Sequence, residues 1–292
     1  MKIAILGAGG MAGHLIHNYL SKLGYNCTPY YHTNCQNKLL IDAEDEENIS
    51  GILKKIIFDY SFVINCIGVL VKESEENPEK AIRVNALFPR ILERYTAGTG
   101  TKVIHLSTDC VFLGSLGGYR EDSPKDGLSI YSKTKALGEI NNSKDITIRT
   151  SLIGPEIKDE GKGLFDWFMK QSDSAIGYAD HFWSGVTTLE LAKAIDYLMK
   201  NHISGIIHLT NNKKISKYDL LTIINEYRPD NKIIIHKHYT GKIIDRSLIS
   251  TLEKFKYNVP GYEEMIKDLF DYMRKHKDIY KNKYSFWRDK EK

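Results

Sequence analysis

The stretch KIAILGAGGMAGHLIHNYL, residues 2–20, decides the fold. A short apolar strand pattern runs directly into GAGGMAG at residues 7–13, and an amphipathic helical pattern over residues 11–23 follows at once. Glycines let the backbone turn tightly and approach a pyrophosphate, while the helix N-terminus offers free N–H groups and a positive dipole end. This context favours a dinucleotide-binding turn over a plain tight turn. The predicted cofactor contacts in it are Gly7, Gly9, Gly10, Met11 and Gly13.

Strand-like and helical patterns alternate beyond this turn. Strands that are apolar on both faces and alternate with helices imply a parallel sheet covered on both sides. With right-handed crossovers, this predicts an α/β fold: a Rossmann-type doubly wound parallel sheet with a smaller C-terminal mixed α/β substrate region. The predicted strands are residues 2–6, 26–31, 38–41, 62–67, 102–106, 146–150 and 206–209, and the main helices are 11–23, 46–58, 79–96, 131–140 and 188–200.

The regular alternation ends near residue 150, which suggests a division of the chain. We expect residues 1–151 to form an NAD(P)-binding Rossmann domain, which residues 181–210 rejoin. Residues 152–180 and 211–292 then form the substrate-binding region. The aromatic and basic tail, residues 280–292, is expected to be a docked or frayed terminus rather than a partner contact.

Composition and charge exclude several classes of protein. The 292 residues include 41 basic and 37 acidic side chains, a net charge of +4 that does not favour nucleic acid as a partner. No stretch approaches the roughly 18 apolar residues of a membrane span. The four cysteines form no CxxC pair, and the histidines show no HExxH spacing. We therefore expect a reduced cytoplasmic protein with no metal, no membrane association and no nucleic acid.

The choice of dinucleotide depends on the end of the second strand. An NAD-selective site usually places Asp or Glu there to hold the ribose 2′-OH, but this chain has YYHTN at residues 30–34. NADP(H) is favoured and NAD(H) remains possible, with His32 as a candidate contact. Asp42 has two interpretations of similar weight, a hydrogen bond to the adenine or the N-cap of the following helix.

A YxxxK motif and a hydroxyl at a strand end supply candidate chemistry. Tyr131 and Lys135 lie four residues apart on a predicted helix, so the ammonium is expected near the phenol and should lower its pKa. Such a tyrosine can give a proton to a carbonyl oxygen as hydride arrives at its carbon. Ser107-Thr108-Asp109 ends a predicted strand, where a hydroxyl can stabilise developing alkoxide charge, although turn residues are the alternative for this tripeptide alone.

The chain resembles an extended short-chain dehydrogenase/reductase, and more narrowly the dTDP-4-dehydrorhamnose reductase family. The resemblance rests on GAGGMAG (7–13), INCIG (64–68), RVNALFPRIL (83–92), HLSTDCVF (105–112), YSKTKALGE (131–139), IRTS (148–151) and VTTLELAKAI (186–195). It implies a catalytic trio of Thr108, Tyr131 and Lys135, with Lys135 also binding the nicotinamide ribose. The other implied cofactor contacts are Asn65, Cys66, Ile67, Asn85 and Ser107, and the implied substrate contacts are Asp109, Cys110, Arg149, Ser151 and Trp183.

Three residues in two motifs depart from the family pattern on the substrate side. Cys110 and Leu113 replace a tyrosine and an aspartate, and Leu152 stands where the family has a tryptophan. The candidates for a replacement aromatic wall are Trp167, His181, Phe182 and Trp183, and for Trp167 a core position is the favoured alternative.

The resemblance implies an NAD(P)H-dependent reductase of a nucleotide-linked 4-keto-6-deoxy sugar, with hydride to C4, Tyr131 as proton donor and a role in surface polysaccharide synthesis. A nucleotide-diphosphate sugar is the expected partner, and a homodimer is expected on family grounds. Two alternatives stay open at this point. One is a 4-epimerase or dehydratase on the same fold, and the other is a non-catalytic NADP-binding regulatory subunit.

Overall fold

A computed structural model describes residues 1–32, 39–230 and 232–284. The strands are β1 (Lys2–Leu6), β2 (Asn26–Tyr31), β3 (Leu39–Leu40), β4 (Phe62–Asn65), β5 (Lys102–Leu106), β6 (Ile146–Arg149), β7 (Leu152–Ile153), β8 (Ser174–Tyr178), β9 (His181–Trp183), β10 (Val186–Thr187), β11 (Gly205–His208), β12 (Ile215–Ser216), β13 (Ile234–His238) and β14 (Ile244–Asp245). The α-helices are α1 (Met11–Lys22), α2 (Glu46–Asp59), α3 (Val71–Glu76), α4 (Pro78–Ala81), α5 (Phe88–Thr96), α6 (Ile130–Gly138), α7 (Leu164–Met169), α8 (Thr188–Lys200), α9 (Lys217–Glu226), α10 (Tyr262–Lys275) and α11 (Lys277–Tyr280).

Seven of these strands form one sheet in the order β11-β6-β5-β4-β1-β2-β3, with every neighbouring pair parallel. The chain runs outward from β1 through β2 and β3, then returns to the other side of β1 with β4. Leu6 at the end of β1 is therefore beside Asn65 at the end of β4. Ligands of such sheets bind at this switch point, outside the carboxyl ends of the strands. The predicted α/β doubly wound fold is confirmed.

Alternate residues of β1 pack into two different hydrophobic cores. Ile3 and Ile5 belong to a cluster that includes residues of α1 and α8. Ala4 and Leu6 point the other way, into a cluster with residues of α2 and α5. All four are fully buried, because successive side chains of a strand face opposite sides and helices cover both.

The predicted return of residues 181–210 to the main sheet applies only to part of that segment. β11 pairs with β6, from Gly205 opposite Ile146 onward, and α8 packs along α1. β9 instead lies in a small separate sheet between β12 and β14, because its backbone partners come from the C-terminal region. β13 pairs with β8, and β10 with β7, in two further small sheets.

The long helix predicted over residues 79–96 is interrupted. A π-helical segment, Ile82–Leu87, separates α4 from α5. Pro89 has no N–H to donate to the Asn85 carbonyl four residues earlier, and its ring would clash there in a regular helix. The wider turn carries Asn85, and such π segments often mark functional positions.

Two aromatic predictions have different outcomes. Trp167 is 42% exposed, so its prediction as a core residue is wrong; α7 buries Phe165 and Phe168 instead. In the tail, Tyr280 and Tyr284 are buried, and residues 285–292 lie outside the described residues.

None of the described helices combines the length and apolarity that crossing a membrane requires.

Candidate active site

The glycine-rich turn after β1 is built almost entirely from backbone. Gly7 adopts φ +82°, and the N–H groups of Gly7 and Ala8 both donate to the Tyr30 carbonyl, at 3.0 and 2.9 Å. A Cβ at Gly13 would lie 2.3 Å from the Gly7 carbonyl oxygen, so only glycine lets α1 approach the turn. Gly10 caps α1 without a side-chain hydrogen bond, which leaves the first-turn N–H groups of α1 available to an anion.

The loop after β4 forms the facing wall. A Cβ at Gly7 would lie 3.1 Å from Ile67 Cγ1, so the ends of β1 and β4 are in close contact. Asn65 is fully buried; its Oδ1 accepts from the Ile67 N–H at 3.1 Å, and its Nδ2 hydrogen-bonds His105 Nδ1 at 3.1 Å. Burial raises the pKa of the Cys66 thiol to about 12, which keeps this side chain neutral. The predicted groove residues 65–67 thus lie together opposite the glycine turn.

Asn85 holds the loop after β4 in place through side-chain hydrogen bonds to its backbone. Its Oδ1 accepts from the Val69 N–H at 2.8 Å, and its Nδ2 donates to the Val69 carbonyl at 3.0 Å and to Thr134 Oγ1 at 3.4 Å. A Cβ at Gly138 would lie 2.0 Å from the Asn85 carbonyl oxygen, so a glycine there lets α6 pack on the π segment. Asn85 therefore supports the loop after β4, and its direct contact with a cofactor stays a prediction.

Thr108 and Tyr131 come together at the carboxyl end of β5. Thr108 follows this strand and is buried; its Oγ1 accepts from the Cys110 N–H and donates to Asp109 Oδ1, both at 3.1 Å. The turn that follows Thr108 packs against α6, and the Thr108 hydroxyl lies near enough to the Tyr131 phenol to oppose the rise in its pKa. Two hydroxyl groups at this edge can share a carbonyl oxygen of a ligand.

The electrostatics of Tyr131 differ from the prediction. Burial raises its pKa above the ordinary value, and the neighbouring Cys110 and Asp109 add to that effect. Lys135 Nζ donates instead to the Leu106 carbonyl at 2.7 Å, and burial lowers its pKa to about 8, opposed by the charge of Glu139. The predicted lowering of the Tyr131 pKa by Lys135 is therefore wrong in this structure: desolvation dominates and the ammonium is engaged by β5.

Ser107 and Arg149 contact a buried carboxylate. Ser107 Oγ donates to Glu139 Oε1 at 2.8 Å, and Arg149 binds Glu139 through Nε at 2.7 Å and Nη2 at 2.9 Å. Arg149 is 1% exposed, and its remaining nitrogen contacts the Glu121 carbonyl and His208. These contacts give both residues a structural role, and the cofactor contact of Ser107 and the substrate contact of Arg149 stay predictions.

Trp183 and Ser151 lie near each other behind the site. Trp183 is 6% exposed within the larger core cluster and packs on the ring of Tyr262, with centroids 5.7 Å apart. A Cβ at Gly185 would lie 2.0 Å from the Ser151 carbonyl oxygen and 2.6 Å from Trp183 Cζ2. Trp183 therefore packs in the core next to Ser151, and its contact with a ligand stays a prediction.

Acidic groups that follow β3 lie near the end of β2. His32 Nε2 is 3.9 Å from Asp42 Oδ1, and Glu44 completes a group whose ligand atoms lie within 4.8 Å of one another. Asp42 accepts from the Glu44 N–H at 2.9 Å, while Asp45 caps α2, so Asp42 is not the helix N-cap. Residues 33–38 lie outside the described residues, and the absence of a metal stays a prediction.

Two cations missed by sequence reasoning lie on the substrate side. Arg246 Nε donates to the Phe112 carbonyl at 3.0 Å, next to the turn that carries Thr108. Lys217 begins α9, directly after β12 and beside β9. Burial raises the pKa of Asp109, and the charges of Arg246 and Lys217 oppose this, which places both near that carboxyl. More than 100 residues separate them from Asp109, so no local motif joins them.

A sequence model places the chain among known proteins. The model of the RmlD substrate binding domain matches residues 1–258. The chain belongs to this family. A spore coat polysaccharide biosynthesis protein, SpsK, of Bacillus subtilis strain 168 is 26% identical over 234 residues, 77% of this chain and 78% of that protein.

Other relatives are more divergent or match a shorter segment. A dTDP-4-dehydrorhamnose reductase of Mycolicibacterium smegmatis is 31% identical over 142 residues, 47% of this chain but only 40% of that protein. The methionine adenosyltransferase 2 subunit beta of Xenopus tropicalis is 25% identical over 238 residues, 74% of this chain and 69% of that one. The crystal structure of a Bacillus anthracis dTDP-4-dehydrorhamnose reductase with NADP has a TM-score of 0.79 at 21% identity, covering 93% of this chain and 99% of that one. This last likeness shows the fold.

Proposed function

We propose that this protein is an NAD(P)H-dependent reductase of a nucleotide-linked 4-keto-6-deoxy sugar, in the manner of dTDP-4-dehydrorhamnose reductase. The observation that carries the proposal is that α6 packs on the turn after β5, which brings Tyr131 close to Thr108 at the carboxyl end of that strand. This pair lies beside the switch point of the sheet, where the glycine turn and the loop after β4 face each other. Membership of the RmlD substrate binding domain family supports the assignment.

The glycine turn fits a dinucleotide. Its glycines leave room for a pyrophosphate, and the N-terminus of α1 has no side-chain cap to compete with it. NADP(H) is favoured, since the Bacillus anthracis reductase of this fold was crystallised with NADP, and NAD(H) remains possible. Asn65 and Asn85 would keep the opposite wall in place through their loop hydrogen bonds. The bound nicotinamide would supply the hydride.

Tyr131 is the proposed proton donor. Its phenol is protonated near neutral pH and can give its proton to the substrate oxygen, while burial, which raises its pKa, makes it a weaker acid than a free tyrosine. Thr108 would hydrogen-bond the same oxygen and orient it. Lys135 holds the end of β5 through the Leu106 carbonyl, which fixes α6 and hence Tyr131 relative to Thr108.

The substrate side is suited to a dianionic diphosphate. Lys217 and Arg246 both lower the pKa of Asp109, the residue after Thr108, so two cations converge on this side of the site. Asp109 and Cys110 lie in the turn between them and the hydroxyl pair, and remain proposed substrate contacts. A nucleotide-diphosphate sugar would bring the complementary charge. The relative named for spore coat polysaccharide biosynthesis supports a role in deoxysugar supply for a surface polysaccharide.

A panel of substrates tests the proposal. NADPH oxidation would be followed at 340 nm with dTDP-, UDP- and GDP-linked 4-keto-6-deoxy sugars, and with NADH as a second donor. We expect turnover with at least one sugar and a preference for NADPH. Binding of NADPH without turnover on any of them would contradict the reductase assignment.

One relative favours a second candidate, a non-catalytic dinucleotide-binding subunit. The Xenopus tropicalis protein is named as a subunit of methionine adenosyltransferase and matches 74% of this chain. Such a subunit would bind NADPH, show no turnover with any sugar, and change the rate of a partner synthetase. A 4-epimerase or dehydratase would instead carry tightly bound NAD on purification, which the absorbance of the purified protein reveals. The proposed homodimer is tested by light scattering.

A further inference from the structure

A loop of the C-terminal half lies directly against the glycine turn. A Cβ at Gly163 would be 3.4 Å from the Sδ of Met11, the first residue of α1. A Cβ at Gly9 would be 4.0 Å from Lys158 Cε. Residues 154–163, which we call the strap, therefore bring a lysine side chain to the place where the turn presents its backbone. The strap is separated from the turn by about 150 residues of sequence.

The strap has a defined internal fold. Glu156 Oε1 accepts from the N–H groups of Lys162 and Gly163, at 2.9 and 2.6 Å, which closes the loop on itself. Lys162 also reaches Glu73 on α3, at 3.9 Å, so the strap is tied to the loop side of the cofactor groove. These contacts limit the positions that Lys158 can adopt.

The end of the described chain anchors the strap. The Tyr284 hydroxyl accepts from the Glu156 N–H at 3.1 Å, and Lys283 Nζ donates to the Lys158 carbonyl. Both residues also contact Asp166, whose carboxylate is fully buried: Lys283 at 2.9 Å and the Tyr284 hydroxyl at 3.3 Å. Four residues earlier, the Tyr280 hydroxyl hydrogen-bonds His14 on α1 at 3.2 Å. The C-terminal segment thus connects α1, α7 and the strap.

Charge pairing distinguishes Lys158 from its neighbours. Lys162 has Glu73 as a partner, and Lys283 has Asp166. Within the described ranges, no carboxylate lies within 4 Å of the Lys158 ammonium, and its side chain is exposed. An anion held by the first turn of α1 would be the complementary group, because Gly9 and Met11 flank that position.

We propose that Lys158 binds the pyrophosphate of the dinucleotide, and that Lys283 and Tyr284 are positioning residues that hold the strap for this contact. The inference rests on the proposed function, since it names a further residue of the same dinucleotide site. The pyrophosphate is the part of the cofactor that a glycine turn holds. A contact there acts equally on NADPH and NADH, whereas a contact with the 2′-phosphate would act on NADPH alone.

The test measures dinucleotide affinity by fluorescence titration of the full-length protein. For Lys158→Ala we expect about a tenfold loss of affinity for both NADPH and NADH, and a weaker dependence of affinity on salt, because one charge-assisted contact is removed. Lys158→Arg should retain most of the affinity. Lys162→Ala, on the same strap but paired with Glu73, is the matched control and should change affinity less than threefold.

A double-mutant cycle tests the positioning role. Tyr284→Phe removes the hydroxyl that accepts from Glu156, and we expect a smaller loss of affinity that disappears when Lys158 is already alanine. Unchanged affinity of Lys158→Ala, or a loss confined to NADPH, would overturn the pyrophosphate contact. Full additivity would overturn the positioning role. A wild-type protein that binds no dinucleotide would reject the proposed function itself, which separates that failure from failure of the strap.

Discussion

The two sides of the site are built in different ways. The cofactor side is a backbone structure made from residues 7–13, which adjoin in sequence, and it carries no ionisable side chain of its own. The substrate side is a side-chain structure in which Asp109, Lys217 and Arg246 meet from distant parts of the chain. Backbone hydrogen bonds do not titrate, whereas the charges of a cluster of buried side chains change with pH. The two sides should therefore respond differently to substitution.

Loss of the phenol at the boundary between the two sides should have the largest effect. In Tyr131→Phe we expect kcat to fall about 10³-fold, within the range for loss of a general acid. NADPH affinity should stay within about twofold of the wild type, because the glycine turn is untouched. Steady-state kinetics and fluorescence titration measure the two quantities. An equal fall in NADPH affinity and in kcat would show that Tyr131 also acts on cofactor binding, and would contradict this division of roles.

Loss of the buried ion pair between Arg149 and Glu139 should strongly reduce the stability of the folded protein. Arg149→Met leaves the Glu139 carboxylate buried and unpaired, and we expect the free energy of unfolding to fall by about 3–5 kcal/mol. Arg274→Met, which removes an exposed pair with Asp271, is the control and should cost less than about 1 kcal/mol. Urea denaturation measures both. A loss as small as that of the control would refute the structural role given to Arg149.

Acid should destabilise the folded protein through His14, a buried histidine of α1. Burial lowers the pKa of His14 to about 4, so the folded protein binds fewer protons than the unfolded chain between pH 6.5 and 4. Stability should therefore fall as the pH drops through this window, by up to about 3 kcal/mol from His14. In His14→Gln, the free energy of unfolding should depend less steeply on pH between 6.5 and 4. Burial also lowers the pKa of His208 to about 4, so His208 should still make stability fall with pH in the His14→Gln variant. An unchanged slope would contradict this origin.

Removal of one substrate-side cation should have the smallest of these effects. Arg246→Met is expected to raise KM for the nucleotide sugar about tenfold with little change in kcat, since the cation would bind a part of the substrate that does not react. NADPH affinity should not change. Initial-rate kinetics at varied sugar concentration measure the shift. An effect on kcat alone would place Arg246 in the reacting end of the site.

The sequence predicts the cofactor side well because that side is local. A strand, a glycine turn and a helix follow one another within 20 residues, and periodicity identifies each of them. The order of the sheet follows from general rules for crossovers. Even the interrupted helix has a local cause in Pro89, although the regular apolar spacing over residues 79–96 conceals it.

The substrate side depends on contacts that no short window contains. Strands of two or three residues such as β9, β12 and β14 have too little periodicity to predict, yet they bring Lys217 and Arg246 to the site. Arg149 was predicted to contact substrate because its position follows the family motif, but Glu139 lies ten residues earlier on the same buried layer and binds it. The pKa of Tyr131 depends on burial, which the spacing of Tyr131 and Lys135 does not reveal.

The most direct test of the central claim is isotope transfer. NADPH carrying deuterium at nicotinamide C4 would be incubated with the protein and dTDP-4-dehydrorhamnose, and the product examined by NMR and mass spectrometry. If the label is on the face of the nicotinamide from which hydride leaves, the account predicts one deuterium at sugar C4 for each NADPH oxidised, and transfer about 10³-fold slower in Tyr131→Phe. Conversion of the sugar without oxidation of NADPH, or transfer at the wild-type rate in Tyr131→Phe, would contradict it.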